Sequence, residues 1–595
     1  MTQDSDTVAQ EASPEERLRI VPLGGLGEIG KNCMAVEYGQ DILVIDAGLM
    51  FPTSHMLGVD FVIPDIRYLL ERVKRIRAIL ITHAHEDHIG ALPYIIPHVQ
   101  VPIYGTELTL GLVRAKLKEF GLAGKAAYTT IEPGRPFEIG AFRIESFRVV
   151  HSISEGVGLA IHTSVGTVVH SGDFKLDQTP IDGKNTDFLK LAELGENGVL
   201  VLLSDSTYAD RPGFSLSERL VGKTLDHVFS RTKGRFIIAT FASSLPRIQQ
   251  VIMVAHKHMR KIAFVGKSLI ANVHIARDMG YLNIPAGMEV RQDEIPGIAP
   301  EDLVVLTTGS QGEPTSALTQ MATNNHKWVK ITPGDTVVLS ATPVPGNEEL
   351  VLRTINQLYR LGAEVIYTVT SKADTGHDSG GLRIHVSGHG SQEDLKLMLS
   401  ILRPRFFVPI HGEYRHLVHH ASLAREMGIS PERTIIALSG DVLEFDSENG
   451  RVTDHVDLEQ ILVDGGSVGD IRRAVLRERY HLAQEGILIP VVAVHEKTGE
   501  LLASPEIITR GYIYARESNG LIEDAKQIMV ETVGRIAGAG APDINVLKNC
   551  LKEDLQRFLY ERTKRRPLTL PIVMLVDSVP LSVGQELLRR DSEVL

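Results

Sequence analysis

Short apolar runs alternate with polar turns over the first two hundred residues, a pattern that predicts buried β-strands joined by loops. Acidic or histidine side chains follow directly where several of these runs end. Strands that end at a common edge of a sheet would bring such side chains together. The runs concerned cover residues 42–45, 78–82, 142–150 and 167–172, and a fifth of the same kind covers residues 406–410.

A strand–helix alternation follows, which is typical of a parallel α/β unit. Ser215 and Glu218 form a capping-box pattern that predicts a helix from Ser215 to about Ser230. Further strands are predicted at residues 236–240, 262–265, 303–306 and 337–339, and helices up to His256, around residues 270–279 and over residues 348–361.

Length and changes in periodicity divide the chain of 595 residues into several domains. The periodicity weakens after about Ser447 and returns near Ile471, with a predicted strand at 487–494 and predicted helices at 524–536 and 544–563. We predict six segments: a disordered tail (1–16), a first domain in two parts (17–214 and 371–448), an α/β domain inserted between them (215–370), a linker (449–470) and a C-terminal domain (471–595).

Composition excludes some classes of protein. An apolar content of 43% with mixed charge is typical of a soluble globular chain, and nothing approaches the roughly 20 uninterrupted apolar residues that span a bilayer. The polar, acidic start does not resemble a secretory signal, and Cys33 and Cys550 offer no disulfide framework. We therefore predict a cytoplasmic protein without a membrane segment. The formal charge of -12 argues mildly against a polyanionic substrate.

The run from His83 to His88 is the most informative stretch, because it places three imidazoles beside acidic side chains within six residues. Neutral imidazole and carboxylate suit zinc or manganese, and ligands crowded so closely can serve two neighbouring ions. Asp46 also follows an apolar run, where it either orients a ligand imidazole or is an ordinary turn residue. A metal pair needs about six or seven donors. Other strand ends supply the further candidates His151, Asp173 and His411.

A glycine-rich stretch matches the dinucleotide-binding fingerprint through Gly25, Gly27 and Gly30. A true fingerprint opens a helix, but residues 33–39 alternate like a strand and end at a glycine. We therefore predict that the match is accidental and that these glycines let the backbone pass close to the metal-bearing loops.

The order of these motifs resembles the metallo-β-lactamase superfamily. Asp205, His389 and His411 narrow the resemblance to its β-CASP group, and residues 24–32, 308–313 and 510–514 narrow it to the bacterial ribonuclease J family. The resemblance covers nearly the whole chain from about Arg17. It implies an α/β fold in which a metallo-β-lactamase αββα sandwich carries an inserted parallel α/β β-CASP domain and a small α/β C-terminal domain involved in self-association.

The same resemblance implies two divalent metal ions, zinc or manganese, and hydrolysis of RNA phosphodiesters by an activated water. One ion is expected on His83, His85 and His151, the other on Asp87, His88 and His411, with Asp173 between them. Asp87 is also expected to orient the attacking water. Asp205 and His389 are the candidates for protonating the departing oxygen, because a nearby carboxylate raises the pKa of a histidine.

A substrate pocket is implied beside this centre. Ser387, Gly388 and His389 would bind a 5′ monophosphate together with Ser243 and Ser244. The positions of Ser243 and Ser244 are equally consistent with helix-capping residues. Phe51 could stack on a base or pack in the core. Pro246 beside Arg247 departs from the polar residue expected in the family. Such a pocket implies a 5′-to-3′ exonuclease with additional endonuclease activity in RNA maturation and decay.

Several alternatives stay open at this point. The chain could be a purely endonucleolytic or a DNA-directed β-CASP nuclease, although His411 stands where DNA enzymes tend to carry valine. A protein of another class, a catalytically silent RNA-binding scaffold, would lack ligands that are all present here. The expected partners are single-stranded RNA, a second or further copies in a homodimer or homotetramer, and proteins of an RNA-degradation complex.

Overall fold

A computed structural model describes residues 17–53, 55–344, 346–368, 382–469, 473–513, 519–537 and 543–577. The predicted tail at 1–16 and the boundaries predicted near residues 370 and 470 lie outside these ranges. The described residues form two compact units, one within Met1–Thr53 and Asp60–Val463 and one within Ser54–Val59 and Asp464–Leu595. Among the described helices, none combines the length and the apolar character needed to cross a bilayer.

The elements of the larger unit fall into three stretches along the chain. Before the insertion lie β1 (Leu18–Gly24), β2 (Leu26–Gly27), β3 (Cys33–Tyr38), β4 (Asp41–Ile45), β5 (Phe61–Ile63), α1 (Arg67–Glu71), β6 (Ile76–Leu80), α2 (Glu86–Ile89), α3 (Leu92–Ile95), β7 (Ile103–Gly105), α4 (Glu107–Glu119), β8 (Tyr128–Thr130), β9 (Phe137–Ile139), β10 (Phe142–Arg148), β11 (Val157–His162), β12 (Thr167–His170), α5 (Phe188–Asn197) and β13 (Val201–Asp205). The insertion contains α6 (Arg219–Arg231), β14 (Phe236–Ala239), α7 (Leu245–Lys257), β15 (Lys261–Val265), α8 (Lys267–Asp278), β16 (Glu289–Val290), β17 (Leu303–Thr307), α9 (Ala317–Ala322), β18 (Thr336–Leu339), α10 (Glu348–Arg360) and β19 (Glu364–Tyr367). The returning stretch contains α11 (Gln392–Leu402), β20 (Phe406–Ile410), β21 (Gly412–Glu413), α12 (Tyr414–Glu426), β22 (Asp441–Phe445), β23 (Gly450–His455) and β24 (Ile461–Asp464).

Two β-sheets form the sandwich of the first domain. One sheet has the strand order β23-β22-β1-β3-β4-β6-β7-β8, and the other has the order β20-β13-β12-β11-β10-β9. Fully buried side chains of both sheets, such as Leu43 and Leu80 from one and Leu159 and Val201 from the other, share one core. The outer face of the second sheet packs against α5, α11 and α12. The predicted α/β sandwich is therefore confirmed.

The inserted domain is a parallel sheet with the strand order β16-β15-β17-β14-β18-β19. Alternate residues of its strands face opposite sides, so that Ile238 packs with one group of buried side chains and Ile237 with another. The capping prediction at Ser215 is wrong, because α6 begins only at Arg219 and Glu218 occupies the cap position without a side-chain capping bond. The Glu218 carboxylate instead binds Arg247.

The glycine-rich stretch and residues 449–470 both form or lead into strands. The glycine-rich stretch opens no helix and leads into β3, so the strand predicted there is confirmed. Residues 449–470, expected as a linker, include β23, which pairs with β22, and β24, which pairs with β5. Much of this stretch is therefore an integral part of the larger unit, since its backbone is hydrogen-bonded in sheets.

The smaller unit has its own core. Its elements are β25 (Ser467–Val468), α13 (Arg473–Glu485), β26 (Ile487–His495), β27 (Glu506–Arg510), α14 (Asn519–Ala537), α15 (Ile544–Thr563), β28 (Leu568–Thr569) and β29 (Ile572–Val576). Strand β26 pairs with β27, β28 and β29. Leucines at positions 547, 551, 555 and 559 of α15 form one buried stripe, which is the spacing of a single helix face.

Candidate metal centre

The chemistry-bearing side chains meet where strands of the sandwich end. Strands β12, β13 and β20 are parallel, and their ends carry Asp173, Asp205 and His411. Strands β4 and β6 are also parallel and lead to Asp46 and His83. Parallel strands end at the same edge of a sheet, which explains why residues distant in sequence converge.

Three histidines and a shared carboxylate form the first group. The ligand atoms of His83, His85, His151 and Asp173 all lie within 4.8 Å of one another. The Nδ1 atom of His85 lies 3.1 Å from Nε2 of His83 and 3.1 Å from Nε2 of His151. Burial lowers the pKa of His85 to about 4 and holds the pKa values of His83 and His151 well below the ordinary range. These imidazoles are therefore neutral at neutral pH, which is the form that binds metal.

A second group contains Asp87, His88, Asp173 and His411, again within 4.8 Å. The Nε2 atom of His88 lies 3.2 Å from Oδ2 of Asp173, and Nδ1 of His411 lies 2.9 Å from Oδ1 of the same carboxylate. The Nε2 atom of His411 is buried and has no hydrogen-bond partner among the described residues, 3.4 Å from Oδ2 of Asp87. A cation between these groups would satisfy this nitrogen, so the donor set fits a metal ion.

The outer nitrogens of the imidazoles bind other protein groups. The Nδ1 atom of His88 lies 2.8 Å from Oδ2 of Asp46, whose carboxylate also accepts hydrogen bonds of 2.8 Å from the amide and the hydroxyl of Thr82. The Nδ1 atom of His151 lies 2.7 Å from the carbonyl oxygen of Gly388. Such contacts fix the orientation of each imidazole ring, so that its other nitrogen, Nε2, faces the clustered ligand atoms.

Two residues of the centre adopt a backbone conformation that side chains seldom occupy. Asp46 has φ 60° and His411 has φ 50°, both in the left-handed region. Each such residue costs about 1–3 kcal/mol, which the surrounding contacts must offset. This strain lies at the strand ends that bear the centre, as is common at functional sites.

Asp205 and His389 form an ion pair at the margin of the second group. The Nδ1 atom of His389 lies 2.7 Å from Oδ2 of Asp205, and both belong to a third group with Asp173 and His411. Burial alone would lower the pKa of His389, but the Asp205 carboxylate outweighs it and raises this pKa. His389 is thus disposed to carry a proton near neutral pH.

Sequence reasoning missed three supporting residues. Thr82 holds Asp46, and Thr207 donates a 2.7 Å hydroxyl bond to Oδ1 of Asp205. The side-chain amide of Asn32 donates to the carbonyl oxygen of Asp87 at 3.1 Å. The two-residue spacing of Thr207 from Asp205 is a turn signal that could have found it. Asn32 has no such local signal.

The remaining predicted residues lie in two regions. Ser387 accepts a 2.9 Å hydrogen bond from the amide of His389, and Gly388 contacts His151 as described. Ser243 and Ser244 precede α7 of the inserted domain, where Ser244 occupies the cap position without a side-chain capping bond. Phe51 is 57% exposed, which excludes the core-packing interpretation.

Replacing Gly48 with alanine should displace the centre. A Cβ atom at Gly48 would lie 1.5 Å from the carbonyl oxygen of Asp87, so the backbone that carries Asp87 and His88 must shift. We expect at least tenfold weaker zinc or manganese binding, about the low end of the loss seen when supporting contacts are removed. Isothermal titration calorimetry measures the affinity. Alanine at Gly297, where a Cβ atom meets nothing within 4 Å, is the control, and an unchanged affinity in the Gly48 variant would contradict the geometry.

Comparison with known proteins places this geometry in a family. Residues 26–187 match the metallo-β-lactamase superfamily, residues 233–358 the β-CASP domain of ribonuclease J, residues 383–436 the RNA specificity domain of Zn-dependent metallo-hydrolases and residues 474–576 the ribonuclease J C-terminal domain. The superfamily match supports the use of divalent metal.

Similar proteins span nearly the whole chain. Ribonuclease J2 of Bacillus subtilis is 42% identical over 559 residues, covering 94% of this chain and 99% of that protein. Ribonuclease J 1 of Streptococcus pyogenes is 39% identical over 558 residues, covering 94% and 98%. The crystal structure of a protein of unknown function from Enterococcus faecalis aligns with 72% of this chain and with 100% of that protein's chain. The TM-score is 0.51 and the sequence identity is 14%, so this similarity supports the fold alone. The chain therefore belongs to the ribonuclease J family of metal-dependent ribonucleases.

Proposed function

We propose that this chain hydrolyses RNA phosphodiesters with two divalent metal ions, as a 5′-to-3′ exonuclease that prefers 5′ monophosphate ends and also cuts internally. One observation carries the proposal: two groups of buried or partly buried imidazoles and carboxylates share the carboxylate of Asp173. A shared carboxylate between two donor sets is the arrangement expected of a metal pair.

Two sets of residues would bind the two metal ions. His83, His85 and His151 would hold one ion and Asp87, His88 and His411 the other, with Asp173 common to both. Zinc and manganese both suit this nitrogen and oxygen donor set. When bound, such ions supply an activated water and stabilise the charge that grows on the phosphoryl oxygens.

Side chains around the ions would then guide protons. Asp87 would accept a hydrogen bond from the attacking water and so orient it towards phosphorus. His389, protonated beside Asp205, would donate its proton to the departing 3′ oxygen as the phosphorus–oxygen bond breaks. The 2.7 Å contact between His389 and Asp205 supports this role, because the carboxylate favours the imidazolium form.

Selection of the 5′ end would depend on donors beside the centre. The hydroxyl and backbone amides of Ser387 and Gly388 lie on the segment that leads to His389, while Ser243 and Ser244 directly precede α7 of the inserted domain. These groups would bind a terminal phosphate. Phe51 is exposed, and its ring lies edge-on to that of Phe61 with 6.2 Å between the ring centroids; a base would stack on the exposed ring.

The test compares one RNA sequence carrying a 5′ monophosphate, triphosphate or hydroxyl, in the presence of Mn²⁺ or Zn²⁺. Because the proposed pocket would bind a terminal monophosphate, we expect prompt release of mononucleotides from that form and at least about tenfold slower release from the other two, the effect of about 1.4 kcal/mol of binding energy. Product lengths on a denaturing gel measure both the end and the mode of attack.

Other outcomes would change the proposal. Equal internal cutting of all three RNAs would support a purely endonucleolytic enzyme, and cutting of single-stranded DNA in preference to RNA would support a DNA-directed one. Binding of RNA without any cleavage, by protein shown to contain metal, would support a silent scaffold.

Assembly and location stay predictions. We infer a homodimer or homotetramer, association with proteins of an RNA-degradation complex, and a cytoplasmic location. The smaller unit exposes apolar side chains that favour self-association: Ile508 is 47% exposed, Ile572 46% and Met574 47%.

A further inference from the structure

A buried ion pair outside the metal centre has no part in the chemistry above. Arg247, on α7 of the inserted domain, is only 2% exposed. Its Nε and Nη2 atoms donate to the two oxygens of the Glu218 carboxylate, the latter at 2.9 Å. A buried charge pair persists only where its geometry and additional hydrogen bonds offset desolvation. The other hydrogen-bond partners of Arg247 and Glu218 therefore show which segments of the chain this ion pair restrains.

The glutamate end is tied to the loop that follows Asp173. The amide of Glu218 donates a 2.9 Å bond to Oδ2 of Asp177, and Nε2 of Gln250 donates a 3.1 Å bond to the Glu218 carboxylate. The ammonium of Lys175 lies 3.6 Å from Asp177 and is itself almost fully buried. The ion pair is therefore anchored to the first domain a few residues beyond a candidate ligand.

The arginine end is tied to the segment that leads to His389. The Nη1 atom of Arg247 donates to the Ser340 hydroxyl at 2.6 Å, to the Ser340 carbonyl oxygen at 3.0 Å and to the Ile384 carbonyl oxygen at 3.2 Å. The Ser340 hydroxyl also donates to the Ile384 carbonyl oxygen, at 2.5 Å. Residues 382–389 contain no helix or strand, so such side-chain bonds restrain their backbone.

The other end of this segment lies in the metal centre. The carbonyl oxygen of Gly388 lies 2.7 Å from Nδ1 of His151, and the imidazole of His389 contacts the Asp205 carboxylate. The amide of Gly390 donates a 2.7 Å hydrogen bond to the carbonyl oxygen of Phe174. The segment is thus restrained at Ile384 from the inserted domain and at Gly388 to Gly390 from the first domain. Loss of the first restraint would leave only the contacts at Gly388 to Gly390 and the bond to Asp205 to hold the imidazole of His389 in its proton-donating position.

We propose that Arg247, with Glu218, is a positioning residue for the proton donor His389. The inference rests on the proposed function, because it presupposes that His389 protonates the departing oxygen. Arginine suits the role, since a planar guanidinium can bind a carboxylate with two N–H groups and still direct others at carbonyl oxygens. A lysine would keep the positive charge but could not make both sets of bonds.

The test compares two substrates that differ in their need for a proton. RNA with a 5′ monophosphate has a departing oxygen that needs protonation, whereas bis(p-nitrophenyl) phosphate releases p-nitrophenolate without it. For Arg247→Lys we expect kcat on saturating RNA to fall at least about tenfold, part of the range that general acid catalysis supplies, whereas weaker binding of the terminal phosphate by Ser387 and Gly388 would appear in KM. Hydrolysis of bis(p-nitrophenyl) phosphate should change by less than about twofold, as expected when only proton donation is impaired.

Arg235→Lys is the matched control. Arg235 also makes a two-pronged, partly buried ion pair in the inserted domain, with Asp335 at 3.2 and 2.6 Å, but it binds no residue of the segment 382–389 in the described contacts. It should not change the ratio of the two activities. Hydrogen exchange of peptides covering 384–390, without added metal, should accelerate in Arg247→Lys and not in Arg235→Lys. If Arg247→Lys does not fold, Ser340→Ala removes one bond to Ile384 and should shift the same ratio and the same exchange.

His389→Ala separates failure of this inference from failure of the proposed function. If His389→Ala loses RNA hydrolysis selectively while Arg247→Lys behaves like Arg235→Lys, the positioning role is overturned and the proposed function stands. If Arg247→Lys lowers both activities equally, the ion pair is merely structural and the inference is again overturned. If His389→Ala itself shows no selectivity between the substrates, the proton-donor role fails and the inference fails with it.

Discussion

Replacement of Asp173 with asparagine should abolish RNA hydrolysis and the stabilisation that zinc or manganese gives the folded chain. Asp173 belongs to all three groups of ligand atoms and is 3% exposed. Burial alone would raise its pKa, but His411 and His88 outweigh burial and hold this pKa well below its usual range. An asparagine keeps the shape of the side chain but removes the negative charge that two cations would share.

The expected loss in kcat/KM is about 10³-fold or more, because metal catalysis supplies several kcal/mol and each ~1.4 kcal/mol is tenfold. Metal content is measured by mass spectrometry of the purified protein. Thermal unfolding with and without added metal measures the stabilisation, which is about 2.7 kcal/mol for a ligand at a hundred times its Kd. The variant should show little of this shift.

Asp182→Asn is the control for this experiment, because Asp182 lies in the following loop and, among the described residues, its carboxylate accepts a hydrogen bond from the amide of Lys184 alone. It should retain metal and activity. Circular dichroism of metal-free protein shows whether Asp173→Asn still folds, a necessary check since Asp173 also contacts His88 and His411. A folded Asp173 variant with full metal content and activity would refute the shared-carboxylate assignment.

Asparagine at Asp205 should slow RNA hydrolysis by about 10²–10⁴-fold, the usual contribution of a general acid, while leaving both metals in place. Asp205 is 1% exposed and uses one oxygen for Thr207 and the other for His389. Without the carboxylate, the pKa of the partly buried His389 loses the influence that raises it. A smaller fraction of imidazolium is then available to protonate the departing oxygen.

The measurement is single-turnover cleavage of 5′ monophosphate RNA together with metal content. Asp210→Asn serves as control, because Asp210 lies on the same loop and binds Arg415 outside the groups of ligand atoms. It should stay within about twofold of the unmodified enzyme, as surface ion pairs contribute little. Loss of metal from the Asp205 variant would instead indicate that Asp205 supports the ions, and unaltered cleavage would remove it from the mechanism.

Local pattern was enough for much of the fold. The helix predicted at 348–361 is present as α10 (Glu348–Arg360), and the one predicted at 544–563 has those limits in α15. Periodicity predicts such elements because each buries one face, and the burial repeats at the helical interval. The compact run from His83 to His88 and the acidic or histidine residues after strands likewise depend on short stretches of sequence.

Tertiary structure decided which of these residues touch. Asp205 and His389 are 184 residues apart in sequence, and the contact of Arg247 with Ile384 spans 137 residues. The local repeat of apolar residues cannot predict such contacts, because they form only when strands and loops distant in sequence pack together. The same reason explains the failed helix start at Ser215: the Glu218 carboxylate that its pattern assigned to a local cap is bound by Arg247 from another helix. The sequence alone determined the candidate chemistry and most of the regular elements, whereas long-range packing determined how that chemistry is oriented.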